Sequence, residues 1–270
     1  VDANGRDGDG LSRRTVLGLV AGGVVGSAGM LASAHRADAH GDIVEYDTIW
    51  NQRTVYEVTG NLTSFDYRPS FHDRCRDWLQ FWAGNVPGGF NTPLRVWSFG
   101  VHTDHRVTEA HNNGRGFDLT RIYVTNDSGS LVRRFNGRYD QWQGTAAAAT
   151  ERERYWAAAA SLHHHFQHVL TYLYNTDHHS HIHFDNLVSG TGNSNFSTGS
   201  TAQVQHVQAC CRFVWGKTTT VDGIWGPETR SHSDAVLQRI GRTGSLTTSQ
   251  ANWLAFNRAS LRKGYGTEAY

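Results

Sequence analysis

Cysteine, charge of one sign and long apolar runs are all scarce in this chain, and each scarcity excludes a class of protein. Three cysteines in 270 residues, Cys75, Cys210 and Cys211, are too few for a disulfide framework. Adjacent cysteines do not readily bridge each other, so two readings stay open: a bond from Cys75 to one of the pair, or unpaired buried thiols. With Lys+Arg 25 against Asp+Glu 24, there is no basic excess to hold a nucleic acid. The one apolar run, Leu17 to Ala34, is broken by five glycines. It falls short of the ~20 strongly apolar residues of a spanning helix, so no stable membrane insertion is expected. A hydrophobic content of 38% over this length instead supports more than one core.

Ahead of that run, Ser12-Arg13-Arg14-Thr15-Val16-Leu17 reads as a twin-arginine export signature. Ala37-Asp38-Ala39 then supplies the small residues of a cleavage site before His40. Residues 1–39 are therefore read as a twin-arginine signal peptide, on a route that carries folded proteins, and the mature chain is expected to be secreted.

Two histidine stretches carry the chemistry: His111-Asn-Asn-Gly-Arg-Gly-Phe-Asp118 and Asp177-His-His-Ser-His181-Ile-His183-Phe-Asp185. A catalytic zinc takes three protein ligands from imidazole nitrogen and carboxylate oxygen and leaves a fourth position for water. His111, Asp118 and one histidine of the His181-x-His183 pair meet that count. In an extended strand, side chains two apart share a face, so one histidine of the pair can bind metal while the other meets water or the substrate oxyanion. Gly114 and Gly116 allow the turn that returns the carboxylate toward the imidazole.

This combination, H-x6-D followed by H-x-H, resembles the zinc D-alanyl-D-alanine peptidase family and its extensin-like C-terminal relatives. It is similar, more distantly, to lysostaphin-type and hedgehog folds. The resemblance covers roughly residues 45 to 190 and implies a Zn2+ held by His111, Asp118 and His183, with His181 as the helper beside the zinc water. The chain departs from the family at one place. Those enzymes carry an Asp or Glu three residues before the last histidine ligand, and here that residue is Ser180. A serine hydroxyl does not take a proton near neutral pH, which leaves His181 and Asp177 as candidates, with His178 or His179 behind them. Arg106 and Arg115 lie close in sequence and are candidates for holding a substrate carboxylate.

Around these motifs, Ser70 to Trp82 reads as a helix with Ser70 as N-cap, and Leu94 to Val101 and Phe117 to Val124 read as strands. The strongest helix runs from Thr150 to about Tyr174, opened by a Thr150/Glu153 capping box. Within it, His164 and His168 share a face, read as a packed or solvated face rather than a second metal site. Ser189 to Ser200 is polar, glycine-rich and read as a linker. Beyond it, Val204-Gln205 through Gln208 and Val221-Asp-Gly-Ile-Trp-Gly-Pro-Glu-Thr229 resemble the small helical peptidoglycan-binding domain of wall hydrolases. Cys210 and Cys211 stand where that family has leucine-like core residues.

The expected fold is α+β: a small antiparallel sheet with flanking helices carrying the zinc site over residues 40–188, a linker over 189–200, and a three-helix module over 201–265. The expected protein is a monomeric zinc metallopeptidase of the cell wall, cutting stem-peptide or cross-bridge amide bonds of peptidoglycan. Two alternatives are a wall-anchored binding protein with a structural or idle metal site, and a zinc hydrolase of another extracellular substrate.

Overall fold

The computed structural model describes residues 43–88, 94–103 and 108–270. The expected signal peptide and Arg106 lie outside the described residues. Four short strands come first: β1 (Val44–Tyr46), β2 (Thr48–Ile49), β3 (Gln52–Tyr56) and β4 (Phe65–Tyr67), followed by α1 (Pro69–Asn85). Pro69 needs no amide partner at the first helical turn, so α1 starts one residue before Ser70, and Arg68 is the N-cap. Next come β5 (Arg95–Ser98), α2 (Glu109–Asn112), β6 (Gly116–Thr125), β7 (Leu131–Asn136), α3 (Tyr139–Trp142) and α4 (Ala148–His165). Then follow β8 (His168–Leu170), a 3-10 helix (Thr176–Ser180) and β9 (Ile182–Asp185). The C-terminal stretch holds α5 (Thr201–Ala209), a π-helical turn (Cys210–Val214), α6 (Pro227–Arg239) and α7 (Gln250–Gly264).

The protein is thus mixed helix and sheet, with seven α-helices among the described residues. β1 and β4 make a two-stranded antiparallel sheet. The other seven strands form one sheet in the order β2-β3-β5-β6-β9-β8, with β7 also on β6. β6 is long enough to pair β9 along its first half and β7 along its second. β3 and β5 are parallel and the remaining pairs antiparallel. The sheet that carries the histidines is therefore larger than the small antiparallel one expected. It is also mixed, because α1 provides the crossover that a parallel pair needs.

Alternation along β6 and β9 decides what each face does. Phe117 and Phe184 are paired, stack at 5.2 Å between ring centroids, and point into the core. There Phe184 meets Phe71 and Trp78 of α1, and Phe166 just past α4. Asp118 and His183, the next pair in register, point to the opposite face. α4 stops at His165, where Phe166 turns extended with φ −116° and ψ 136°. The expected continuation to Tyr174 loses to the sheet: Val169 is buried opposite Phe184 in β8, and that pairing overrides helix propensity. His168 consequently leaves the helix and shares no face with His164. The expected Thr150/Glu153 box is also absent, since α4 begins earlier, with Ala147 as an N-cap that makes no side-chain bond.

Residues 189–200, read as a linker, are packed rather than free. Ser194 is fully buried; its hydroxyl donates to the His163 carbonyl and accepts from Trp253 Nε1 at 2.7 Å. Arg74 of α1 donates to Asn193 Oδ1, and Phe196 lies against Trp225 and Trp253. α7 lies so close to α4 that a Cβ at Gly264 would come within 2.5 Å of Ala157 Cβ. The described residues accordingly form one compact unit. Within it, buried Gln208 of α5 ties the Asp222-Gly223 turn: its Oε1 accepts from both backbone amides, and its Nε2 donates to Asp222 Oδ1 and Ile224 O. All three thiols are buried and unpaired, which selects the second cysteine reading. No helix among the described residues is long and apolar enough to cross a membrane.

Candidate metal centre

The two ends of the H-x6-D stretch are brought together by a one-turn helix and two glycines. Thr108 caps α2 by accepting a hydrogen bond from the His111 amide at 3.3 Å. Gly114 then turns the chain with φ +60°, where a Cβ would lie 2.8 Å from the Arg68 amide nitrogen. Gly116 serves a different need. A Cβ there would meet His183 Cε1 at 3.0 Å and His111 Cε1 at 3.3 Å, so its bare backbone leaves room for both imidazoles.

His111 Nε2 stands 3.2 Å from Asp118 Oδ1, and His183 Nδ1 stands 2.9 Å from the same oxygen. The three ligand atoms all lie within 4.8 Å of one another, so His111, Asp118 and His183 could hold a metal ion. Ligands about 2.0–2.2 Å from a tetrahedral zinc are separated by roughly 3.3 Å, close to the spacings seen here. The opposite ring nitrogens are also held. His111 Nδ1 lies 2.5 Å from the Val101 carbonyl, and His183 Nε2 lies 3.4 Å from Asp185 Oδ2. Outer partners of this kind orient a metal-binding imidazole and set its tautomer.

The electrostatics favour a positive charge at this point. Burial alone would raise the Asp118 carboxyl, but hydrogen bonds from His111 and His183 outweigh it and hold the group far below the usual carboxylate range. Burial would likewise lower His183, yet its bonds to Asp118 and Asp185 raise it to about 9. Asp185 is raised by burial and brought below the ordinary range by His168 and His183. A ring that keeps a proton between two buried carboxylates marks a place where a divalent cation can substitute for that proton.

His181 arrives on the same face, as period-two alternation requires, with Nε2 3.5 Å from Asp118 Oδ1 and Nδ1 3.1 Å from Ser180 Oγ. Burial lowers its pKa, although Asp118 works the other way. His178 is lowered to about 4 by burial and by His181 and His183, whose rings it faces at 5.1 and 6.2 Å. Asp177 is exposed on the 3-10 helix, outside the cluster of three. His179 packs edge-on to Tyr139. Arg115 turns away from the cluster, donating to the side chain and backbone of Asn186.

Two groups of consequence received no role from the sequence. Asp185 follows His183 by two residues, so the alternation that aligns His181 with His183 places it on the metal face as well; extending the period by one step finds it. Arg138 is the other: it lies over the Phe99 ring at 5.5 Å, and Phe99 in turn meets His181 at 6.0 Å. Its guanidinium is engaged by Asp140, two residues on, and by Glu57, and the latter joins distant segments with no local pattern. No protein-family model, no curated protein and no solved structure matches the chain, so the metal centre stands on its own geometry.

Proposed function

We propose that this chain is a secreted zinc-dependent hydrolase of peptidoglycan that cuts an amide bond of a stem peptide or cross-bridge. The observation that carries the reading is the convergence of His111 Nε2 and His183 Nδ1 on Asp118 Oδ1, with the outer nitrogen of each ring engaged. The resemblance of the two motifs to zinc D-alanyl-D-alanine peptidases, the twin-arginine signature and the Val221 to Thr229 segment support the choice of substrate.

His111, Asp118 and His183 would hold zinc, which supplies Lewis acidity toward a scissile carbonyl and acidifies water toward a pKa of ~7. His181 is the group placed to move a proton. Its lowered pKa keeps the ring neutral near pH 7. When Ser180 Oγ–H donates to Nδ1, the ring proton sits on Nε2, and that nitrogen can donate to a developing oxyanion. When Nδ1 instead donates to Ser180, Nε2 is free to accept a proton, the role of a general base. Ser180 thus sets the tautomer, in the place where the family has a carboxylate.

Ser180 also favours a second reading, a wall-binding protein whose metal is structural or idle, because Asp118 is the one carboxylate among the described residues that acts on His181. Incubating mature protein with purified peptidoglycan, with and without zinc, and weighing the released muropeptides separates the two. Zinc-dependent release of shortened stem peptides is expected; a fully metal-loaded protein that releases none would leave only the binding role.

A further inference from the structure

The sheet face that carries the metal centre continues past His183. Leu170 is opposite His183 in the β8–β9 pairing, and His168 is opposite Asp185. The His168 Nδ1–Asp185 Oδ1 contact of 3.3 Å puts His168, and by alternation Leu170, on the side of the three ligands. β8 is the last strand of the sheet in this direction among the described residues.

Beside it lies a cavity of about 430 Å³, walled by His168, Leu170, Leu173 and Tyr174 on one side and by Ala202 and Gln205 of α5 on the other. That size falls in the range of pockets that take small ligands, roughly 300–1,000 Å³. His178 links the cavity wall to the histidine cluster through ring contacts, meeting Tyr174 edge-on at 5.2 Å, His181 at 5.1 Å and His183 at 6.2 Å. One cross-strand step separates Leu170 from His183, about 5 Å, and an extended peptide advances about 3.3 Å per residue. A side chain entering the cavity therefore belongs to a residue one or two positions from a bond lying over the three ligands.

Resting on the peptidase reading above, we propose that the cavity between β8 and α5 is a specificity subsite, taking one neutral side chain of an extended peptide substrate. Its walls combine aliphatic carbons of Leu170, Leu173 and Ala202 with the Gln205 amide and the Tyr174 ring. Among the described residues no Asp, Glu, Arg or Lys lines it, and the one imidazole among them, His168, already has Asp185 as partner. A charged side chain would find no counter-ion there and would lose its hydration, whereas an aliphatic or amide side chain would not. The far wall comes from residues beyond 200, so the C-terminal stretch completes the substrate site.

The test uses the full mature chain loaded with zinc, the free stem pentapeptide as probe, and two variants. Ala202→Trp fills the cavity, and Tyr174→Ala removes a wall residue that is 57% exposed and so is not needed by the core. Both are expected to keep wild-type zinc content. Ala202→Trp should weaken the pentapeptide Kd about tenfold or more, and Tyr174→Ala should shift it about threefold in the same direction. If Ala202→Trp does not fold, Tyr174→Ala decides. Wild-type Kd values in the folded variants, or no pentapeptide binding by the parent protein, would overturn the subsite. A parent protein that binds the pentapeptide but cleaves neither it nor purified cross-linked peptidoglycan would remove the peptidase reading while the subsite stands. Cleavage with unaltered binding in both variants would do the reverse.

Discussion

In the proposed zinc hydrolase, five residues would divide the work at the metal centre, and substitution should separate them. Alanine at His111, Asp118 or His183 should each abolish most zinc binding, read as metal content after dialysis. His181→Ala should keep its zinc and lose activity by about 10²–10⁴-fold, the usual worth of a proton-transfer group. Zinc loss in that variant would mean that His181 and His183 have exchanged roles. Asp185→Asn leaves every ligand in place but weakens the hold on His183 Nε2, so zinc affinity should fall about 10–100-fold. An Asp185→Asn protein with parental zinc affinity would reduce Asp185 to a partner of His168.

A second set of histidines titrates away from this centre. His163 is fully buried, with neither ring nitrogen bonded, and lies tilted against His206 at 4.1 Å between ring centroids. Burial lowers His163 far below its ordinary value, with His206 adding to the effect, and burial lowers His206 to about 4. His164, lowered to about 3 by burial and by Arg258 and Arg74, behaves alike. Well above pH 6.5 these rings are neutral in both folded and unfolded chains. Below it the unfolded chain takes protons that the fold refuses, so stability falls as pH drops from about 6.5 toward 4. In zinc-free protein, urea midpoints should rise as pH falls from 8 to 7, because folded His183 keeps a proton that the unfolded chain gives up, and should turn down below about 6.5 as these buried rings resist protonation. His163→Phe should flatten the decline and, by removing two unbonded buried nitrogens, leave stability at pH 8 unchanged or higher by about 1 kcal/mol. An equally steep decline in His163→Phe would clear this ring of the effect.

At the scale of elements, the two glycines of the first motif should fail in different ways. Gly114→Ala meets backbone at 2.8 Å and a positive φ, so it should lower thermal stability, by about 1 kcal/mol or more. Gly116→Ala meets the two imidazoles instead, so it should fold and bind zinc poorly. Equal zinc affinity in Gly116→Ala and parent would refute that assignment. These elements also show what local sequence can reveal. β6 is legible because Phe117 to Val124 is rich in β-branched and aromatic residues, and His181 reaches the same face as His183 because period two is obeyed across the start of β9. α4 was overextended because alanines and leucines cannot announce that Val169 is wanted in a sheet. The sheet itself is larger than expected because β2 and β8 are too short to show a period, and β3 breaks the alternation, with Thr54 and Val55 both buried. Asp185 was within reach of the same alternation, whereas Arg138 depends on Glu57, 81 residues away.

For the whole molecule, the polar composition of residues 189–200 suggests a linker but hides their partners. Ser194, Asn193 and Phe196 are fixed by residues from α4, α1 and α7, none of them near in sequence. Limited proteolysis should therefore spare this stretch, and residues 40–188 alone should lose cooperative unfolding and bind a hydrophobic dye, since Trp156 and Ala157 would lose their cover. Rapid cleavage there, releasing two folded fragments, would restore the modular view.

The unpaired state of Cys75, Cys210 and Cys211 bears on the order of events in the life of the chain. A fold with no covalent cross-link owes nothing to the redox potential of its surroundings, so it can reach completion in a thiol-rich compartment and arrive elsewhere already finished. Refolding yield should be the same with and without dithiothreitol, and a yield that depended on oxidant would show that at least one thiol pairs along the way.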